Sequence, residues 1–338
     1  MVAAVSTVVF FPEGAYGPTN NCVGIGQVLR ERGHRVVFVI EESFVGSLEA
    51  QGFEERLMRL GPPPEVEEEP GQFWKDFIRE TAPVFRKPTI EQLTEFIEPT
   101  WRALCDGARY VDDRLREIFD DVEPDVIVED NVVCFPAIHH SGRPWARIVS
   151  CNPLEIKDPE IPPVFSGYPA GDRTGWDEFR RTYASAIAGL HEEFAAFCGE
   201  RGAGRLPDGE FVHESDWLNL YSYPAEADYR RDRALAPTWH RLDSTVRATD
   251  ADWELPELSG LRASSIAESD EASSGAVDAS PSGAIASGVA ASGAAVSAAA
   301  SASGAAGMEE AALAAGFDRH FTKPADPAAL EAALTDRA

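Results

Sequence analysis

The feature that most constrains this chain is a pair of short, almost wholly apolar runs separated by one helix-length segment. Val5–Phe11 and Arg35–Ile40 are rich in β-branched and aromatic residues, which is typical of strands buried on both faces of a sheet. Between them, apolar residues recur at helical spacing, and Gly33 follows the last turn as a helix stop. This order of strand, helix and strand predicts a right-handed βαβ unit of a parallel sheet.

The same order recurs further along the chain. PDVIVED at 124–130 is typical of a strand that ends in acids, Asn131–His140 is expected to be helical, and Pro144–Cys151 has the composition of the next strand. Leu218–Tyr223 is expected to form one more strand, and Trp176–Cys198 an amphipathic helix. The chain is therefore predicted to be α/β, with a Rossmann-like parallel sheet, helices on both faces, and ligands at the carboxyl ends of the strands.

Composition divides the chain into three predicted regions. Residues 1–258 have the apolar and aromatic content of a packed domain. Residues 259–307 collapse to Ala, Ser and Gly, which cannot bury enough surface to offset the entropy lost on ordering, so we predict a disordered linker. Residues 308–338 regain a short β-α pattern, which is too small to fold as a domain alone.

Charge and cysteine usage exclude several functions. A formal net charge of −27 would repel a phosphate backbone, so nucleic acid is not an expected partner. The five cysteines are scattered and form no CxxC pair, which favours reduced thiols in a cytoplasmic protein. No apolar run has the length of a membrane helix, so no membrane association is expected.

The histidines do not suggest a metal site. His213 and His240 have no cysteine or carboxylate at metal-ligand spacing, so we expect no metal. His139 and His140 fall near the end of a predicted helix, where most histidines lie at the surface or interact with the helix dipole. No cofactor is expected either.

Three segments carry a resemblance to a known family. Residues 17–34 have a Gly/Pro/Asn turn followed by a helix ending Arg-Gly-His, 124–130 form a strand ending in aspartate, and 237–244 read PTWHRLDS. In order and spacing the chain resembles the acceptor-binding half of UDP-glycosyltransferases of the macrolide and natural-product type. The resemblance covers about three quarters of the chain. It implies the N-terminal half of a GT-B fold, in which a second Rossmann-like domain binds the nucleotide sugar.

The resemblance also implies a reaction. In that family a general base removes a proton from an acceptor hydroxyl, which attacks the anomeric carbon as the nucleotide leaves. The base is often a histidine after the first strand, but the corresponding position here is Pro18, with Thr19 beside it, and neither can serve. Asp130 matches the family's aspartate.

Two acids are therefore candidate catalytic residues. Asp130 is predicted to act as the base or to orient a water or the acceptor; otherwise it caps a helix beginning at Asn131. Glu13, directly after the first strand, is the other candidate; otherwise it is a solvated loop acid.

A further set of residues is predicted to bind substrate. Small residues in the loop 12–21 would let the backbone approach the acceptor or sugar, and the glycines there do not form a dinucleotide fingerprint. In the segment 73–97, expected to form two broken helices, aromatic residues either line an acceptor pocket or form an ordinary helix-packing face. The candidate binding residues are Gly17, Thr19, Asn20, Asn21, Asn131, Phe73 and Trp74, and Phe77 and Phe85 belong to the same aromatic group.

Nothing after residue 260 resembles a donor-binding domain, so the chain is expected to be truncated and to need a separate donor-domain partner for activity. Lys323-Pro324 instead resembles the end of a response-regulator receiver domain, without its acidic pair and phosphoacceptor aspartate. Three functions therefore stay open: transfer of a sugar from a UDP- or TDP-sugar to a hydroxyl of a small apolar acceptor, non-catalytic binding of such an aglycone, and a signalling fusion with a degenerate receiver.

Overall fold

The computed structural model describes residues 5–63, 79–242 and 245. The predicted domain boundaries at 258 and 307, the linker and the receiver-like tail lie outside the described residues. So do Phe73, Trp74 and Phe77. Among the described residues, no helix combines the length and the apolarity that a bilayer crossing requires.

A single sheet of seven parallel strands organises the described residues, in the order β3-β2-β1-β4-β5-β6-β7. The predicted Rossmann-like parallel sheet is confirmed. The strands are β1 Thr7–Pro12, β2 Arg35–Glu41, β3 Glu54–Met58, β4 Val126–Asp130, β5 Trp145–Val149, β6 Leu218–Ser222 and β7 Trp239–Leu242.

Helices cover both faces of this sheet, as predicted. They are α1 Tyr16–Glu31, α2 Thr89–Gln92, α3 Glu98–Val122, α4 Pro136–His140 and α5 Trp176–Glu200, and a π-helical turn at Leu93–Ile97 joins α2 to α3. Alternate residues of the central strands enter cores on opposite faces of the sheet, because successive side chains point to opposite faces. In β1, Val9 and Phe11 belong to the core beneath α3 and α5, whereas Val8 and Phe10 belong to the core beneath α1.

The helix α1 begins earlier than the sequence pattern suggested. The expected loop from Pro12 to Asn21 is only the short connection 13–15, because Pro18 lies in the first helical turn, where a missing N–H costs no hydrogen bond. Gly33 follows the helix with a φ of 89°, a left-handed conformation that is typical of a glycine that stops a helix. The predicted helix stop is confirmed. Gly26 lies against the sheet, and an added Cβ would come within 3.4 Å of Phe38 and Phe53. A small residue here serves helix packing.

A second difference concerns the residues after β4. The predicted helix over Asn131–His140 is wrong in its start, since α4 begins only at Pro136. Residues 131–135 are an irregular connection, and Asn131 is buried there with its Nδ2 donating to the carbonyl of Phe11 at 2.8 Å. That bond ties the end of β4 to β1 and keeps the segment from turning at once into a helix.

Candidate functional site

The two candidate acids meet at the carboxyl edge of the sheet. Asp130 is the last residue of β4, and its register partner in β1 is Pro12, so Glu13 follows directly beside it. The backbone N–H of Glu13 donates to the carbonyl of Asp130 at 2.9 Å. Only 5% of Asp130 and 6% of Glu13 are exposed. The two residues are therefore neighbours at this edge, and the catalytic role predicted for them stays a prediction.

Both alternative interpretations of these acids are contradicted. Asp130 caps no helix at Asn131, because no helix begins there; its Oδ2 instead accepts the hydroxyl of Ser150 at 2.7 Å. Glu13 is not a solvated loop acid, because it is buried and its Oε1 has no hydrogen-bond partner within the described part of the chain. A buried carboxyl oxygen without a partner costs folding free energy, so its presence in Glu13 needs an explanation, of which a role in proton exchange is one.

A third acid, Glu155, completes what we call the carboxyl cluster: Glu13, Asp130 and Glu155. Glu155 lies in a short 3₁₀ turn after β5 and is only half-buried. Its charge raises the pKa of both Glu13 and Asp130, which places it close to the pair. Sequence reasoning missed Glu155, since it is brought to the other two only by the parallel pairing of β4 with β5.

Burial raises the pKa of every acid in this cluster. The pKa of Glu13 rises to about 8, first because the side chain is desolvated and then because of Asp130 and Glu155. The pKa of Asp130 rises to about 7 through burial, opposed by the hydrogen bond from Ser150. Burial likewise raises the pKa of Glu155 to about 7, opposed by Arg147. The cluster therefore exchanges protons near neutral pH, where a general acid or base is most effective.

The opposite face of the same strands carries a buried acid and a buried arginine. Glu129 and Arg147 are register partners on β4 and β5, on the face beneath α3 and α5. Burial raises the pKa of Glu129 to about 8. Arg147 is 6% exposed, and its Nε has no hydrogen-bond partner among the described residues.

Next to Arg147 lies a small cavity with aromatic walls. It holds about 30 Å³ of space, enough for a small chemical group. Trp101 stacks on Phe211 at 4.8 Å between ring centroids, and Phe165 and Tyr183 close the wall. Glu155 lines this cavity as well, so the cavity and the carboxyl cluster share one side chain.

The remaining predicted binding residues fall into two groups. Gly17 and Thr19 lie in the first turn of α1, at the same edge of the sheet as Asp130; Gly17 is exposed, whereas Thr19 is buried and its Oγ1 has no partner within the described residues. Asn20 and Asn21 are half-buried on the same helix, and Oδ1 of Asn21 accepts the hydroxyl of Thr245 at 2.6 Å. These positions are helical, so the loop predicted from sequence is wrong here, and the binding role predicted for these residues stays a prediction.

Phe85, from the predicted aromatic group, packs against the core. Its ring meets that of Phe96 edge-on at 4.7 Å, and it lies against the core beneath α3 and α5. Of the two interpretations left open for this group, the helix-packing face describes Phe85. The other three aromatic residues lie outside the described residues.

Comparison with known proteins finds no matching family model and no matching curated protein. Among solved structures, the chain is similar to the glycotransferase of kitacinnamycin, at 16% identity over 75% of this chain and 55% of that one, with a TM-score of 0.43. It is also similar to the spinosyn forosaminyltransferase SpnP, at 15% identity over 75% and 54%, with a TM-score of 0.42. A third is the glycosyltransferase VinC in complex with DTDP, at 13% identity over 68% and 51%, with a TM-score of 0.40. The chain spans about half the length of these structures.

Proposed function

We propose that this chain binds a small apolar acceptor molecule and supplies the base that activates its hydroxyl. A sugar is then transferred to that hydroxyl from a nucleotide sugar. The observation that carries the proposal is Asp130, a buried acid at the carboxyl end of a central strand whose pKa is raised to about 7. Beside it lies Glu13, whose buried Oε1 has no hydrogen-bond partner within the described residues. Such an acid, held at the ligand-binding edge of an α/β sheet, is suited to proton abstraction at neutral pH.

In the proposed reaction Asp130 takes the proton from the acceptor hydroxyl. The freed oxygen attacks the anomeric carbon, and the nucleoside diphosphate departs with the electron pair of its bond to the sugar. Ser150 donates to Oδ2 of Asp130, and Oδ1 is the oxygen proposed to take the acceptor proton. Glu13 and Thr19, whose buried oxygens lack partners within the described residues, are the groups proposed to hydrogen-bond the sugar or the acceptor.

The aromatic cavity is the proposed seat for an apolar part of the acceptor. Trp101 and Phe165 offer flat apolar contact, and Glu155 connects the cavity to the carboxyl cluster. At about 30 Å³ the cavity has room for a small apolar substituent of the acceptor, which would lie beside Glu155.

The nucleotide-sugar site is proposed to lie outside the described residues. The resemblance assigns donor binding to a second Rossmann-like domain, which stabilises the leaving diphosphate, usually with a large effect on rate. The proposal therefore includes a donor domain that acts together with this chain, on UDP- or TDP-sugars.

The test is a transfer assay on the full chain with UDP- and TDP-sugars and a panel of apolar hydroxyl acceptors, with and without a separately added donor domain. Asp130→Asn should lower kcat/KM by about 10²–10⁴-fold, the usual contribution of a general base. Asp120→Asn, at an exposed position of α3, is the matched control and should leave the rate unchanged. Transfer that survives in Asp130→Asn would refute the role of Asp130.

A second candidate is an aglycone-binding module without catalysis, which the aromatic cavity itself favours. Calorimetric titration separates the two functions, because the module binds an apolar ring compound and neither UDP nor TDP. The third function, signalling through the receiver-like tail, concerns residues outside the described part; it predicts labelling of an aspartate by acetyl phosphate, which we do not expect.

A further inference from the structure

Three potential metal ligands from separate segments converge beneath α3 and α5. They are Cys134 before α4, His139 within α4 and His213 in the loop before β6, and their ligand atoms all lie within 4.8 Å of one another. We call these residues the Cys-His-His cluster. Spacing along the sequence did not reveal it, because His213 is more than seventy positions away from the other two.

The fold holds the two segments of this cluster together. The backbone N–H of Cys134 donates to the carbonyl of Phe211 at 2.7 Å, which places the loop of His213 against the connection after β4. The rings of His139 and His213 meet at 4.8 Å between centroids, and His139 also packs edge-on against Trp145. The position of each ligand is therefore set by backbone contacts and packing, as a metal site requires.

One atom of the cluster is buried without compensation. Nε2 of His213 has no hydrogen-bond partner among the described residues, although it is shielded from solvent. A buried polar atom left unpaired costs about 1–3 kcal/mol. Coordination to a cation would satisfy this nitrogen, and no other group described nearby does so.

We propose that Cys134, His139 and His213 bind a zinc ion that clamps the loop before β6 to the connection after β4. Sulfur and imidazole donors select zinc and similar transition metals over Mg²⁺ or Ca²⁺. Zinc bonds of about 2.0–2.3 Å in tetrahedral geometry place ligand atoms roughly 3.3–3.8 Å apart, so small side-chain rotations close the present spacing. On binding, the thiol of Cys134 loses its proton to solvent.

The fourth position is assigned to a water molecule, because the three side chains whose ligand atoms lie within 4.8 Å of one another leave one tetrahedral position to fill. A clamp of this kind does not depend on sugar transfer, since none of its ligands belongs to the carboxyl cluster.

The first test uses the unaltered full chain. After treatment with a chelator, the protein should take up about one Zn²⁺ per chain, measured by mass spectrometry of the metal, and its Tm should rise. With Co²⁺ as the probe, it should show a thiolate-to-cobalt charge-transfer band together with the visible bands of a tetrahedral site. A chain that takes up neither metal, or binds Co²⁺ without the thiolate band, overturns the proposal.

Variants identify the ligands. Cys134→Ser should abolish the thiolate band, and His213→Gln should weaken metal binding by at least about 100-fold, more than the loss of an outer-shell partner. The matched controls are Cys105→Ser, a buried thiol of α3, and His140→Gln, the exposed neighbour of His139; both should bind as the unaltered chain does. Equal losses in the controls would refute the assignment, and the spectrum of the unaltered chain decides if Cys134→Ser does not fold.

Discussion

Two buried aspartates in this molecule have opposite surroundings. Asp112, in the middle of α3, is 1% exposed. Its Oδ2 accepts hydrogen bonds from Nε of Arg116 at 2.9 Å and from Nε of Arg201 at 2.6 Å. Asp130 is 5% exposed, and the hydrogen bond described for its side chain comes from the neutral hydroxyl of Ser150.

The difference shows that two equally buried aspartates can differ in whether cations compensate their charge. Asp112 is compensated by two guanidinium groups and pins α3 to the end of α5, where Nη2 of Arg116 also bonds the carbonyl of Arg201. Asp130 has no cation within salt-bridge distance among the described residues, so burial shifts its proton affinity instead. Ionisation of Asp130 therefore lowers the free energy of unfolding.

The largest expected effect tests the structural side of the comparison. Asp112→Ala leaves two partly buried guanidinium groups without their partner and should lower the free energy of unfolding by about 3 kcal/mol. Urea unfolding followed by circular dichroism measures the loss. Asp113→Ala is the control, because Asp113 also bonds Arg201 but is largely exposed, and it should cost under about 1 kcal/mol. Equal losses from both variants would erase the distinction.

The second prediction concerns Asp130 and pH. Its folded pKa of about 7 exceeds the model-compound value of 3.8, so its contribution to stability is complete below that value and is lost as pH rises through about 7. Glu13 acts in the same direction between 4.5 and about 8. The free energy of unfolding should therefore fall between pH 5 and pH 8.

The substitution Asp130→Asn removes the part of this fall in unfolding free energy that comes from ionisation of Asp130. The variant should be more stable than the unaltered chain at pH 8, by up to about 4 kcal/mol, and its advantage should be smaller at pH 5, where only part of the loss has occurred. Urea midpoints measured at both pH values check this expectation. A variant that loses stability at pH 8 would mean that ionised Asp130 is well compensated, as Asp112 is.

A smaller effect is expected from Ser150→Ala. The hydroxyl of Ser150 lowers the pKa of Asp130, so its removal should raise that pKa further and cost about 1 kcal/mol at pH 8, with less at pH 5. The same urea series measures both values. A cost that does not change with pH would indicate that Ser150 supports packing rather than the carboxylate.

The smallest effect is expected for an acid that is paired at the protein surface. Glu117 pairs with Arg114 on the surface of α3 at 3.0 Å, with both side chains more than half exposed. Glu117→Gln should change the free energy of unfolding by no more than about 0.5 kcal/mol. A larger change, measured by the same unfolding experiment, would show that surface charge contributes more in this acidic chain than in most proteins.

Most of the sheet could be predicted because its central strands are apolar on both faces. β1 and β2 are continuous apolar runs, and helix α5 has a clear apolar stripe. The edge strands β3 and β7 were missed, since EERLM and WHRL carry charges that an edge tolerates and that hide the strand pattern. Local composition indicates a strand only where the strand is buried, and an edge strand is only partly buried.

Of the candidate site, only the residues that directly follow an apolar strand pattern could be predicted from the sequence. Asp130 and Glu13 follow apolar runs, so the rule that ligands bind at the carboxyl ends of strands identified both. Glu155 and Ser150 come from beyond the next strand, and their closeness to Asp130 depends on parallel pairing that no short pattern encodes. The Cys-His-His cluster was missed for the same reason.

The central pairing of β1 with β4 has a consequence for how the chain is made. The bond from the backbone N–H of Thr7 to Asp125 joins residues 118 positions apart, so β1 leaves the ribosome long before its partner strand exists. Until then Glu13 stays hydrated and carries its ordinary charge. The acids are therefore desolvated only after β4 has been made and has paired with β1, and long-range pairing of this kind favours slow folding.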